Sequence, residues 1–286
     1  MWSRAARAKS LAVHWNIDPV LIDLGLIELR WYGLFFATGV MLGARAMPHY
    51  FERFKLPPKH AGAMTIWAMV SMVLGAHFLH LLFYEPRSFI DNPRRIIEIG
   101  KGLASHGGGL GAVLAVFLYS RSKKIPFHRL LDPMVGTSLW VIPFVRLGNF
   151  FNSEIYGRAT DLPWAVIFAR RGFTESRHPS QLYEMLVGFA LLGLWLLLGR
   201  RARERWAPGA LSYLTIFCYF TTRFLIEFVK EYQTLHASFP LTMGQMLSTP
   251  LALLGLGMFL FSPLGMRGQP NLTPIEDESE RSARSA

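Results

Sequence analysis

The stretch "VRLGNFFNSEIYGRAT", residues 145–160, closes an apolar run long enough to lie in a membrane, yet it carries Arg146, Asn149, Asn152, Glu154 and Arg158. Charged and amide side chains at bilayer depth are expensive, and chains that keep them there use them as sites or pathways. The apolar run therefore predicts a membrane helix, and the polar residues predict a site built into its end.

Working outward, the rest of the chain repeats the first half of that reading. Half of the 286 residues are apolar and only 17% are charged, and the apolar residues gather into seven blocks. These lie near 32–48, 62–84, 104–120, 131–148, 181–199, 207–229 and 241–262. Each is close to the ~20 residues a helix needs to cross about 30 Å of hydrocarbon. The blocks containing "GGGLGA" and "SLWVIPFVRL" are interrupted by glycine, proline or arginine, which a span tolerates where neighbouring helices cover its backbone. The predicted fold is all-α, a polytopic integral membrane protein with about seven transmembrane helices. Residues 1–31 read as a periplasmic or interfacial segment, 32–262 as the transmembrane domain, and 263–286, polar and turn-rich, as a disordered cytoplasmic tail.

The net charge of +11 does not mark a nucleic-acid binder, because the basic residues sit in short loops rather than on one face. "RFKLPPK" (53–59), "SRSKK" (120–124) and "GRRARER" (199–205) follow the first, third and fifth blocks. The positive-inside rule makes that side cytoplasmic, placing the N-terminus outside and the C-terminus in the cytoplasm. A single cysteine, Cys218, excludes an internal disulfide and leaves no thiol pair for a metal site. No metal and no cofactor is expected.

Three clusters carry the candidate chemistry. Arg146 and Arg223 lie within membrane blocks, and a guanidinium stays charged and fits phosphate oxygens with two donors at once. Two of them in a membrane cavity point to a phosphorylated lipid. Asn149, at i+3 from Arg146, adds donors to the same anion. Glu227, at i+4 from Arg223, shares its helical face and is expected to join it at the substrate, a structural ion pair between the two being the other reading. After Phe150 the helix is expected to end, and "NSEIYG", with Asn152, Glu154 and Gly157, reads as a turn.

The second cluster is "ASHGGGLGA", 104–112. Gly107 and Gly108 let backbone approach a ligand at a helix start, where free N–H groups favour an anion, and His106 titrates near neutral pH. The third is "SRHPSQLYE", 176–184, where His178 or Ser180 is expected to cap a helix begun by Pro179, and Arg177, Gln181, Tyr183 and Glu184 gather at the outer membrane face.

With these stretches in view the chain resembles the prolipoprotein diacylglyceryl transferases, bacterial inner-membrane enzymes of seven transmembrane helices. "RWYGL" (30–34), "HGG" (106–108), "RLGNFFNSEIYG" (146–157), "RHPSQLYE" (177–184), "RFLIEF" (223–228) and "TMGQMLS" (242–248) occur in the family's order. The resemblance implies transfer of the diacylglyceryl group of phosphatidylglycerol to the lipobox cysteine of a prolipoprotein, with release of glycerol 1-phosphate. It implies roles for Tyr32, Arg146, Asn149, Glu154, Gly157 and Arg223, and a debated role as base for His106. Two positions depart from the family pattern: His77 and Lys230 stand where many members carry arginine. The alternative in another class is a phospholipid transporter or flippase that uses the same arginines to bind a lipid phosphate without chemistry.

Overall fold

The computed structural model describes residues 13–25, 28–99, 102, 104–231, 241–270 and 273. The expectations for residues 1–12 and for most of the tail lie outside that range.

Each of the seven blocks is a helix. They are α1 (Trp31–Arg53), α2 (Lys59–Tyr84), α3 (Ser105–Lys123), α4 (Phe127–Phe151), α5 (Ser180–Arg205), α6 (Ala210–Ile226) and α7 (Met243–Phe261). Four of them, α2, α4, α5 and α7, are long and apolar enough to cross a membrane. α6, with 17 residues, is short of a full span and is continued by a 3-10 turn, Glu227–Val229. Many helix positions present large apolar side chains outward, including Ile66 at 64% exposure and Leu197 at 80%. An apolar exterior of that extent suits lipid rather than water, and the chain is a multi-pass membrane protein.

The first block extends further than its apolar residues suggest. α1 runs through Pro48 to Arg53, because the apolar pattern reports contact with lipid whereas the hydrogen-bonded ladder continues past it.

The chain divides into two compact units, one of residues 1–43 and 135–269 and one of residues 44–134 and 270–286. In the second, α2 and α3 lie backbone to backbone. A Cβ on Gly107 would meet the Gly75 carbonyl, and one on Gly111 the Ser71 carbonyl. Lipid tails are as apolar as leucine, so membrane helices associate by close packing, and small residues permit it. A core of Met47, Phe51, Met64, Tyr119 and Leu130 fills this unit. His77 is fully buried there, its Nε2 3.1 Å from the carbonyls of Arg95 and Ile96. Beyond α2, Glu85 accepts two bonds from Arg95, at 2.7 and 2.8 Å. That fork holds the Glu85 carboxyl down to about 2.

In the first unit the same packing device recurs. Gly255 on α7 lets the backbone of α6 approach at Tyr213 and Phe217, and Gly136 on α4 makes room for the indole of Trp195 on α5. Among the described residues, four short strands lie outside the helices. β1 (Val13–Trp15) pairs in parallel with β4 (Val166–Phe168), and β2 (Val20–Asp23) pairs antiparallel with β3 (Glu28–Arg30). Trp15, Phe150, Phe151, Phe168 and Tyr156 pack between them and the end of α4. Part of the segment expected to be interfacial is thus folded, with Trp15 of β1 packed on the end of α4.

Candidate active site

The opening stretch does what its polarity requires. α4 ends at Phe151, and the chain turns through Ser153 and Ile155, both in the left-handed region at φ 51° and 57°. Non-glycine residues there cost of order 1 kcal/mol each and persist where surrounding contacts impose them. Those contacts come from the start of α5: Gln181 Nε2 donates to the Glu154 carbonyl at 2.7 Å, and Ser180 Oγ to that of Ile155 at 2.8 Å. Ser180 therefore holds a neighbouring loop instead of capping α5. Pro179 occupies the cap position without a side-chain bond, and His178 instead meets the Tyr183 hydroxyl at 3.1 Å.

With its backbone held this way, the Glu154 carboxylate accepts the amides of Asn149 at 2.8 Å and Asn152 at 3.3 Å. Asn149 Oδ1 in turn accepts from Arg146 at 3.4 Å. Tyr32 packs on Gly148, where any side chain would strike its ring.

The anion that Arg146 requires is Glu184 on α5. Arg146 Nε lies 2.9 Å from Glu184 Oε2, Lys230 Nζ 2.7 Å from Oε1, and Arg223 Nη1 3.9 Å from the same oxygen. The i, i+4 ion pair of Arg223 with Glu227, the alternative reading of that spacing, does not form. α6 ends at Ile226, and the tighter 3-10 turn rotates Glu227 off the Arg223 face and toward Lys230. Glu227 Oε1 accepts from Lys230 at 3.1 Å, and Oε2 from the Thr242 hydroxyl at 3.0 Å. Thr242 itself caps α7 in a reciprocal box with Gln245. Gly244 then lets Glu227 close in, since a Cβ there would fall on the carboxylate.

Lys230 is 4% exposed and lies between two carboxylates. Its backbone bridges Gly157, and its carbonyl accepts from Arg158 Nε at 2.8 Å. Gly157 meets the Val229 carbonyl and His178 so closely that no side chain fits. Arg177 is a tie within the extramembrane part: its Nη1 binds the Gly157 carbonyl and Glu231, its Nη2 binds Glu175, and its guanidinium lies 3.9 Å from the centre of the Phe173 ring.

The result is a cluster of three cations, Arg146, Arg223 and Lys230, against two carboxylates, Glu184 and Glu227, with Glu154 at its edge. The pocket between Arg146, Glu184, Tyr219 and Arg223 holds only about 10 Å³, the space of about one water. Tyr32, Arg146, Asn149, Asn152, Glu154, Gly157, Gln181, Arg223 and Glu227 all fall in this unit. Gly107 and Gly108 fall in the other, in the first turn of α3, and the side chain of His106 lies outside the described residues. Among the described residues no group of three or more histidine, cysteine, aspartate or glutamate side chains is placed to hold a metal.

A profile of the prolipoprotein diacylglyceryl transferase family matches residues 19–261. The chain belongs to this family. Among the family's members, the phosphatidylglycerol–prolipoprotein diacylglyceryl transferase of Tolumonas auensis is 39% identical over 251 residues, 87% of this chain and 96% of that protein. That of Chloroherpeton thalassium is 38% identical over 251 residues, covering 85% and 92%, and that of Bacteroides fragilis 32% over 265 residues, covering 88% and 95%. In this member of the prolipoprotein diacylglyceryl transferase family, Glu184 and Lys230 belong to the cluster as fully as the arginines. The spacing of Gln181 and Glu184, i and i+3 on one helical face, is the one trace of this in the sequence.

Proposed function

We propose that the chain transfers the diacylglyceryl group of phosphatidylglycerol to the lipobox cysteine thiol of a prolipoprotein, in a bacterial inner membrane that all seven helices cross. The supporting observation is the charge of the buried cluster. Arg146, Arg223 and Lys230 stand together against Glu184 and Glu227, with Glu154 joined to Arg146 through Asn149, so guanidinium donors for a phosphodiester are held in a place where an unpaired anion would be costly. Arg223 is only loosely engaged by Glu184 at 3.9 Å, and its remaining donors suit phosphate oxygens.

In the reaction a sulfur–carbon bond forms at the glycerol carbon and the carbon–oxygen bond to phosphate breaks. The bonding pair goes to the phosphate oxygen, and the arginines stabilise the charge gathering there. The thiol proton must be taken up, because a cysteine with pKa near 8.5 is mostly protonated at pH 7. Glu154, Tyr32 and His106 are the acceptors considered; Glu154, with two amides on its carboxylate, is joined through Asn149 to Arg146. Asn152, Gly157 and Gln181 shape the turn that carries it, whereas Gly107 and Gly108, expected to let backbone approach a ligand, instead pack against Gly75 and Met72 of α2. The chain has its N-terminus in the periplasm and its C-terminus in the cytoplasm.

Mass spectrometry of a lipobox peptide incubated with the purified protein and phosphatidylglycerol tests the proposal. A diacylglyceryl thioether formed together with glycerol phosphate is the expected result. Lipid movement without a thioether would establish the transporter alternative instead.

A further inference from the structure

The extramembrane part of the first unit contains a polar cleft of about 240 Å³, lined by Arg30, Asn152, Ser153, Glu154, Arg170 and Arg171. One water needs only about 10–15 Å³ on the same measure, so the cleft has room for a small polar molecule. It begins where the chain of side chains from Arg146 through Asn149 ends, at Glu154.

Its walls offer two kinds of partner. Three guanidinium groups supply charge-assisted donors. Arg30 is paired with Glu28 at 2.6 Å and Arg170 with Asp18 at 3.0 Å, and in both pairs the side chains are 40–58% exposed. Exposed pairs of this kind hold by about 0–1 kcal/mol, so a phosphate dianion displaces them readily. Arg171 spends Nε on the Ser153 carbonyl at 2.8 Å and keeps its terminal nitrogens. The second kind suits hydroxyl groups. The Glu154 carboxylate is an acceptor, and Asn152 Oδ1 and the Ser153 hydroxyl, both buried, have no partner among the described residues. Ser153 itself is only 1% exposed. A ligand with a doubly charged phosphate at one end and hydroxyl donors at the other matches both sets.

We infer that this cleft receives the polyol phosphomonoester that the transfer releases, and that the product leaves the buried cluster by it. The inference rests on the proposed reaction, in which removing diacylglyceryl from phosphatidylglycerol leaves glycerol phosphate. A phosphodiester in the buried cluster carries one charge. The monoester product carries close to two, and the three guanidiniums of the cleft, whose partners Glu28 and Asp18 are exposed to water, offer it donors that the closely paired buried cluster does not.

The test is product inhibition of thioether formation by added glycerol 1-phosphate, in the wild type, in Arg170→Gln, and in Arg170→Gln/Arg171→Gln. Losing one charge-assisted bond weakens binding by about 10- to 150-fold. The inhibition constant is expected to rise about tenfold or more in the single variant and further in the double one, with the KM for phosphatidylglycerol moving far less. A KM that rises in step with the inhibition constant would assign the cleft to the intact lipid headgroup and overturn the inference. An inhibition constant equal in all three proteins would overturn it as well. Titration of the lipid-free protein with glycerol 1-phosphate, and with inorganic phosphate for comparison, separates the cleft from the reaction. Binding that is tighter for glycerol 1-phosphate and weakened in the variants supports the cleft even if turnover is poor. A wild type that binds it but makes no thioether would refute the reaction and, with it, the product assignment.

Discussion

Replacing Glu184 by glutamine keeps the size of the side chain and one oxygen acceptor but removes the charge on which Arg146, Lys230 and Arg223 converge at 2.9, 2.7 and 3.9 Å. Removing one partner of a buried ion pair costs about 3–5 kcal/mol, because the other charge stays buried and uncompensated. Glutamine can still accept from Lys230, so the lower end, about 3 kcal/mol, is expected. For a domain of this size that lowers the melting temperature by about 6–12 °C. Thermal unfolding of the detergent-purified protein measures it. The thioether assay, run at a temperature where the variant is folded, should show transfer at least ~10-fold slower, since Arg146 has lost the group that orients it. Lys230→Met supplies the sharper arm. If Glu184 and Lys230 neutralise each other, the double variant is more stable than the sum of the single losses implies, by about 0.5–3 kcal/mol. A Glu184→Gln protein that melts with the wild type and turns over normally, or strictly additive losses in the double variant, would refute the role given to Glu184.

Arg146→Lys and Arg223→Lys keep the positive charge but lose the planar fork, and each should slow transfer by about 10- to 150-fold; steady-state kinetics of both variants decide this. His106→Gln should lower the rate by about 10²–10⁴ at pH 7 if His106 is the base, with recovery toward pH 9 as thiolate forms unaided, and by much less if it only positions the lipid. A rate–pH profile from 6 to 9 separates the two, and positioning is the expected outcome because Tyr32 and Glu154 remain as acceptors. Glu85 has its carboxyl lowered from 4.5 to about 2 by the Arg95 fork, so its contribution to stability is complete above pH 4.5 and is lost as pH falls toward 2. The stability difference between wild type and Glu85→Gln should shrink as pH falls below about 4.5, as unfolding followed down to pH 2 would reveal.

The helices were legible in the sequence because each depends on a local run of apolar residues, and so was the end of α4, where "NSEIYG" breaks the pattern. The ion pairs were not. Spacing along one helix offered Glu227 to Arg223, but a helix that tightens at Glu227 changes which way that side chain faces. The true partner, Glu184, arrives from α5, 38 positions after Arg146 in the chain, and local periodicity carries no information about such a pairing. Lys230, one of the two departures from the family pattern, is the inner cation of the cluster. A lysine there presents a compact charge to two carboxylates at once. The strand pairs β1–β4 and β2–β3 escaped notice for a related reason: three or four residues are too few for an alternating pattern to stand out.

The cap of α7 has a consequence for how the protein is made. Thr242 both starts the last helix and donates to Glu227, and Gly244 forms the wall against that carboxylate. The cluster is therefore closed by groups at the start of the last of the seven helices in chain order. A nascent chain halted before Thr242 has all the arginines in place but lacks the groups that hold Glu227 and, through it, Lys230. Until α7 has joined the other helices, Glu227 lacks the Thr242 hydroxyl, and the contact between Glu227 and Lys230 is left less tightly held.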